Sequence, residues 1–117
     1  MTHAIIRLGV NPPPAEEGRP AAVISGSPVT SAANYFTDAT GQFFAGVWES
    51  TVGKWPIRYT ESELCVILEG RVVLIDEAGR AEAFGKGDSF VIPSGFTGTW
   101  ETVEPVKKLY AIFEAKS

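Results

Sequence analysis

The sequence predicts an all-β sandwich or barrel, and three observations support this prediction. The chain has 117 residues and contains 12 glycines and 8 prolines, which are spread along its length as punctuation. The short segments between them are rich in Val, Ile, Phe, Trp, Tyr and Thr, the residue types that favour strands. No window of a dozen residues keeps a 3.6-residue apolar period free of Gly and Pro, so no long helix is expected.

The N-terminal third, about residues 1–41, is predicted to be an arm with two short apolar runs at 4–8 and 21–24. Three prolines at 12–14 separate these runs, and they indicate an extended loop because proline cannot donate a ladder hydrogen bond. Residues 34–41 are interpreted as irregular and rich in turns. Residues 42–51 form a strong strand candidate with aromatic side chains on both faces, which favours a sheet that is covered on both sides.

Residues 54–113 contain the most regular pattern. Strands are predicted at 54–59, 63–69, 71–76, 80–84, 89–92, 98–103 and 106–113. Glycines in the segments 68–71 and 76–79 predict tight turns, and Pro93-Ser94-Gly95 ends the strand at 89–92. With no repeat and no linker, the chain is expected to be one domain, residues 1–117.

Composition narrows the class of partner. Ten basic and fourteen acidic residues give a net charge of -4, which disfavours nucleic acid as a partner. No apolar run approaches the roughly 20 residues needed to span a bilayer, so no membrane partner is expected. The single cysteine, Cys65, excludes an internal disulfide and fits a reducing compartment. With no secretory signal evident, a cytoplasmic location is predicted.

Two spaced motifs resemble the two halves of the cupin signature. Glu63 is followed after six residues by Gly70, and Gly87 is followed after five residues by Pro93-Ser94-Gly95. Together with neighbouring segments such as 46–49 and 98–101, they resemble a small-cupin subgroup. That subgroup includes the (S)-ureidoglycine aminohydrolase cupin domain and ethanolamine-utilisation protein Q. The resemblance covers about residues 42–113 and implies a double-stranded β-helix, a cupin-like jelly roll whose mouth holds a metal or small ligand, and a homodimer.

The chain departs from that family at the metal ligands. Metal-binding cupins carry two histidines before the glutamate, and those positions hold Ile57 and Tyr59 or, in the other spacing, Pro56 and Arg58. Gly98 stands at the third histidine position. Glu63 is then the one remaining ligand, and a single carboxylate does not hold a transition metal firmly. No metal and no other cofactor are therefore expected.

The residues around Glu63 are the candidate site. If residues 59–65 were one unbroken strand, Tyr59, Glu61, Glu63 and Cys65 would share one face, and two close carboxylates would form a catalytic acid and base pair. In the alternative, Glu61 lies in a solvated loop. Arg58 is positioned to clamp an anionic group, and the residue pair 107–108 is interpreted as a solvated edge.

Three functions follow from this reading. The leading hypothesis is metal-independent binding of a small polar molecule, with Arg58, Tyr59, Cys65 and Trp100 as ligand contacts. The second is an enzyme of the ureidoglycine aminohydrolase or ethanolamine-utilisation type, with Glu61 and Glu63 as catalytic residues. The third is a non-catalytic dimeric protein with a structural or interaction role.

Overall fold

A computed structural model describes residues 3–116, and within this range the chain forms strands and no helix. The strands are β1 (Glu16–Gly18), β2 (Ser25–Gly26), β3 (Thr30–Thr37), β4 (Phe43–Ser50), β5 (Gly53–Arg58), β6 (Ser62–Asp76), β7 (Ala81–Gly85), β8 (Ser89–Ile92) and β9 (Thr97–Phe113). The all-β prediction is confirmed. Across this described range there is accordingly no helix long and apolar enough to cross a membrane.

Strand β9 organises the antiparallel sheet. It pairs with β6 along most of its length, while its first half also pairs with β5 and its second half with β4. β3 continues the sheet beyond β4, and β1 lies beyond β3. β2 pairs with β5, while β7 and β8 both pair with β6. The two longest strands therefore connect every part of the sheet.

The structure corrects the prediction for the arm. Residues 4–8 and 21–24 are not strands, whereas β3 occupies much of the region interpreted as irregular. β3 pairs in register with β4 and contains a bulge between Asn34 and Phe36. The turn is confined to the residues that follow, where the Asp38 carboxylate accepts the N–H groups of Gln42 and Phe43.

The predicted turn at 68–71 is wrong. β6 runs through it without reversing, and its pairing register with β9 shifts between Ile67 and Val72. Gly70 has φ of +88°, and a Cβ there would collide with the backbone of Pro105. A glycine in this conformation thus forms a bulge, which bends a strand and does not reverse it. The predicted strands at 98–103 and 106–113 are likewise one strand, β9.

The turn at 76–79 is confirmed. Asp76 Oδ1 accepts the N–H groups of Ala78 and Arg80, and Gly79 has φ of +85°. These contacts close the hairpin that joins β6 to β7. The side chain of Asp76 takes up the free donors of the turn, which is the common role of aspartate at this position.

Alternation along the strands separates an inner and an outer face. In β6, Glu63, Cys65 and Ile67 are buried, while Leu64 between them is exposed. Residues opposite one another in register share a face, so the inner residues of neighbouring strands meet. The inner face carries the hydrophobic core, whose buried members are Trp55, Cys65, Ile67, Val72, Leu74, Ile92, Trp100 and Val106.

Candidate binding site

A cavity of about 740 Å³ opens at the inner face of the sheet. Its walls come from β3, β4, β5, β6 and β9, and an exposed segment at 18–22 adds to them. Of the six residues predicted for the site, five line this cavity: Arg58, Tyr59, Glu61, Glu63 and Trp100. A cavity of this volume is in the range that small-molecule sites occupy.

A buried ion pair lies at the cavity wall. Lys108 Nζ is 2.9 Å from Glu63 Oε2, and the two side chains are only 3% and 6% exposed. The interpretation of Lys108 as part of a solvated edge is therefore wrong. The alternation of Val106, Lys108, Tyr110 and Ile112 along β9 was the signal that would have placed this lysine on the inner face.

Two tryptophans surround the ammonium group of Lys108. Its Nζ lies 4.6 Å from the ring centroid of Trp48 and 4.5 Å from that of Trp100. The two indoles meet edge to face at 5.4 Å, and Trp55 stacks on Trp100 while also lying 6.3 Å from Trp48. Cation–π attraction and the carboxylate together stabilise a charge that has lost its water.

Cys65 lies behind this wall and does not line the cavity. Its side chain has no exposed surface, and its Sγ is 3.4 Å from Lys108 Nζ. Burial raises the pKa of the Cys65 thiol to about 12 against a smaller opposing effect of Lys108. The residue is thus a protonated thiol beside the lysine ammonium, and it lies outside the cavity lining.

Residues 59–61 form a bend, so the unbroken strand considered for this segment is wrong. β5 ends at Arg58 and β6 begins at Ser62. The Tyr59 N–H donates to Phe96 O, and Tyr59 O accepts from Gly95 N–H, which ties the bend to the turn before β9. Glu61 is nevertheless half-buried and lines the cavity.

The phenol of Tyr59 is a hydrogen-bond donor at the cavity wall. Burial, reinforced by the nearby Glu63 carboxylate, raises the pKa of Tyr59 above its ordinary value. Burial and Glu63 also raise the pKa of Tyr110, whose hydroxyl donates to Asn34 Oδ1 at 2.8 Å. Both phenols therefore remain protonated at neutral pH.

The charge of the cavity wall differs from that of the whole chain. The wall carries three basic side chains, Arg19, Arg58 and Lys108, and two carboxylates, Glu61 and Glu63. Its net charge is thus positive, whereas the chain as a whole has a net charge of -4. The excess of negative charge therefore lies on the surface outside the cavity.

The donor set does not fit the metal centre that metal-binding cupins hold. Within residues 3–116 no three His, Cys, Asp or Glu side chains lie close enough together to bind a metal ion. Glu63 is the one carboxylate at the expected position, and its Oε2 is paired with the Lys108 ammonium. The positive charge beside this carboxylate comes from lysine.

The chain is an antiparallel barrel-like protein with a cavity inside the sheet, and its sequence matches a known family. The EutQ-like cupin domain matches residues 37–110. The chain therefore belongs to the EutQ-like cupin family, and the predicted cupin-like jelly roll is confirmed.

Solved structures agree with this assignment. A protein of unknown function in the DUF861 family from Pseudomonas syringae pv. tomato is 29% identical over 94% of this chain, with a TM-score of 0.73. The chain spans 45% of the length of that protein. A DUF861 family protein from Thermotoga maritima is 38% identical, with 55% of this chain and 73% of that chain covered and a TM-score of 0.53.

A putative ethanolamine utilization protein Q from Salmonella typhimurium has the same fold. The TM-score is 0.69 and the identity 23%, and the match covers 85% of this chain and 79% of that one. No curated protein sequence matches this chain.

Proposed function

We propose that this protein binds a small organic anion in the cavity, without a histidine-ligated metal. The positively charged cavity wall, with a buried lysine between two tryptophans, carries this proposal. Lys108 has three N–H donors, and within residues 3–116 its polar partners are Glu63 and the weak acceptor Cys65. The third N–H has no polar partner in this range, and an acceptor on the guest would compete with the two indoles for it.

The other lining residues suit the two ends of such a molecule. Arg58 is exposed at the cavity wall, where its planar guanidinium offers two parallel N–H donors to a carboxylate or phosphate. The indoles of Trp48 and Trp55 supply flat apolar surface for the carbon skeleton of the guest. The likeness to ethanolamine utilization protein Q supports the fold and gives no substrate for this chain.

Tryptophan fluorescence tests the proposal directly, because all three tryptophans of the chain, Trp48, Trp55 and Trp100, line the cavity. We expect small mono- and dicarboxylates to change the emission saturably and to raise the melting temperature. R58Q should weaken that response, whereas R71Q, at an exposed arginine outside the cavity, should not. An emission unchanged by every anion of such a panel, or an equal loss in both variants, would contradict the proposal.

We further propose that the chain forms a homodimer through the outer face of the sheet. Registered pairs place Val91, Leu64, Ala111, Ala45 and Phe36 in one row across five strands. Val91 is 60% exposed and Leu64 is 44% exposed. An apolar row of this kind on a sheet is a typical interaction surface.

A second copy of the chain fits this face best. The adjoining rows, which contain Phe43, Phe113, Val66 and Leu109, are also uncharged. Two chains of net charge -4 repel one another. The electrostatic repulsion is smallest when they approach through an uncharged face. In a two-fold symmetric dimer the two sheets would pack face to face, and each chain would contribute the same residues to the interface.

Sedimentation analysis at micromolar concentration tests the dimer. We expect the mass of two chains for the native protein and of one chain for L64E, since the new carboxylate would be buried against its own copy. V103E serves as a control, because Val103 is similarly exposed but lies outside these rows of residues. A native protein that sediments as a monomer would overturn the dimer and leave the cavity proposal intact.

A further inference from the structure

The cavity contains a lysine whose surroundings differ from those of the other four. Lys54, Lys86, Lys107 and Lys116 are half-buried or exposed, and none of them lines the cavity. Lys108 is buried, borders the cavity and has a carboxylate 2.9 Å from its Nζ. An amine in an apolar site with an adjacent proton acceptor has the features of an activated nucleophile.

We propose that Lys108 forms a reversible imine with the carbonyl carbon of a short 2-oxo acid in the cavity. This inference rests on the proposed function, since the anion must first enter the site. Glu63 acts as the proton acceptor, and the indoles of Trp48 and Trp100 keep bulk water from the amine. The carboxylate of the 2-oxo acid then faces the positive cavity wall.

The step is balanced by groups already present. The Lys108 ammonium transfers one proton to Glu63, and the neutral amine attacks the carbonyl carbon to form a C–N bond. The two remaining amine hydrogens leave with the carbonyl oxygen as water, while the C=N bond forms. The products are a neutral imine, a protonated Glu63 and one water molecule, and hydrolysis reverses the same sequence.

The burial of the Lys108–Glu63 pair favours imine formation over a loss of the lysine charge alone. Removing one member of a buried ion pair leaves the other charge unpaired at a high cost. Imine formation neutralises both members together, because the proton that Lys108 loses remains on Glu63. After the reaction no unpaired charge lies beneath the tryptophans, so the protein scaffold does not oppose the product.

Reductive trapping on the full chain tests the inference. The protein is incubated with glyoxylate and sodium cyanoborohydride, which delivers hydride to the imine carbon and leaves a stable secondary amine. Intact mass and peptide mapping then locate the modification. We expect Lys108 to be labelled faster than Lys107 by roughly tenfold or more, although Lys107 is the more exposed of the two.

Two further arms separate the outcomes. E63Q should slow labelling at Lys108 and leave Lys107 unaffected, whereas E82Q, at an exposed glutamate outside the cavity, should leave both rates unchanged. Labelling rates that simply increase with the exposure of each lysine would contradict imine formation at Lys108. Glycolate carries the same charge without a reactive carbonyl, so if glycolate changes tryptophan emission while Lys108 stays unlabelled, binding stands and the imine fails. If neither anion changes the emission and Lys108 is unlabelled, both proposals fail for this class of molecule.

Discussion

The ring of Tyr110 lies directly over Gly46. The two residues are opposite one another in the register of β4 and β9, and the Tyr110 hydroxyl continues past Gly46 to Asn34 on the next strand. A Cβ on Gly46 would lie 2.5 Å from the Tyr110 hydroxyl oxygen and would also collide with Ala33 O. The missing side chain at Gly46 is thus what lets Tyr110 lie across the cavity wall.

We predict that G46A destabilises the protein by about 1–3 kcal/mol, because the added methyl group overpacks a closed contact. Urea unfolding measures the difference. G85A is the matched control, since a Cβ there meets its nearest neighbour at 3.7 Å, an ordinary contact. Equal stabilities of the two variants would contradict the closed contact at Gly46.

The buried ion pair predicts a strongly non-additive double-mutant cycle. K108M should cost about 3–5 kcal/mol, because it leaves the Glu63 carboxylate buried without a partner. Adding E63Q should restore a large part of that loss, since the pair is then removed together. K107M, at the half-buried neighbour, is the control and should have little effect. Additive changes in unfolding free energy would mean that the two groups do not interact.

Cys65 predicts a loss of stability in alkaline solution. Burial raises the pKa of its thiol from 9.0 to about 12 in the folded chain. Its contribution is therefore complete below about pH 9 and declines as the pH rises toward about 12. The difference in unfolding free energy between native protein and C65A should shrink over this range, while the tyrosine contributions cancel. A difference independent of pH would contradict the assignment of a buried, protonated thiol.

Asp38 predicts a loss of stability in acid. Its carboxylate accepts hydrogen bonds from Thr40 Oγ1, Gln42 N and Phe43 N, and these bonds lower its pKa from 3.8 to about 2. Its contribution is present above about pH 4 and is lost as the pH falls through about 2. The stability difference between native protein and D38N should therefore narrow in that range. A stability difference that stays constant down to about pH 2 would contradict this role of Asp38.

Local sequence patterns predicted the strands and turns that are stabilised mainly by residues close to one another in the sequence. The strand over 42–51 and the turn over 76–79 are of this kind. β3 combines strand-favouring Thr, Tyr and Phe with Ala and Asn, so its sequence gives no clear pattern, and it forms by pairing with β4. The bulge at Gly70 was interpreted as a turn because both features use a glycine with positive φ.

The site was predictable where motif and alternation agreed, as for Glu63, and where a residue followed a recognisable turn, as for Trp100. For Lys108, alternation along β9 indicates the inner face, but the residues that hold its charge are remote in sequence. Its contact Cys65 lies 43 positions away in the sequence, and no local pattern indicates that the two residues meet in the fold. Most lysine side chains in proteins are exposed, so residue type alone predicts a surface position for Lys108.

Neighbouring positions in β6 belong to different chemical environments: Glu63 and Cys65 face inward, while Leu64 lies exposed between them. A single-residue deletion between Arg58 and Glu63 that kept β5 in place would shift β6 by one position and reverse this order along the strand. The carboxylate would move to the solvent side and the leucine would take its place beneath the tryptophans. Chain length between Arg58 and Glu63 is therefore as strictly constrained as the identity of either residue.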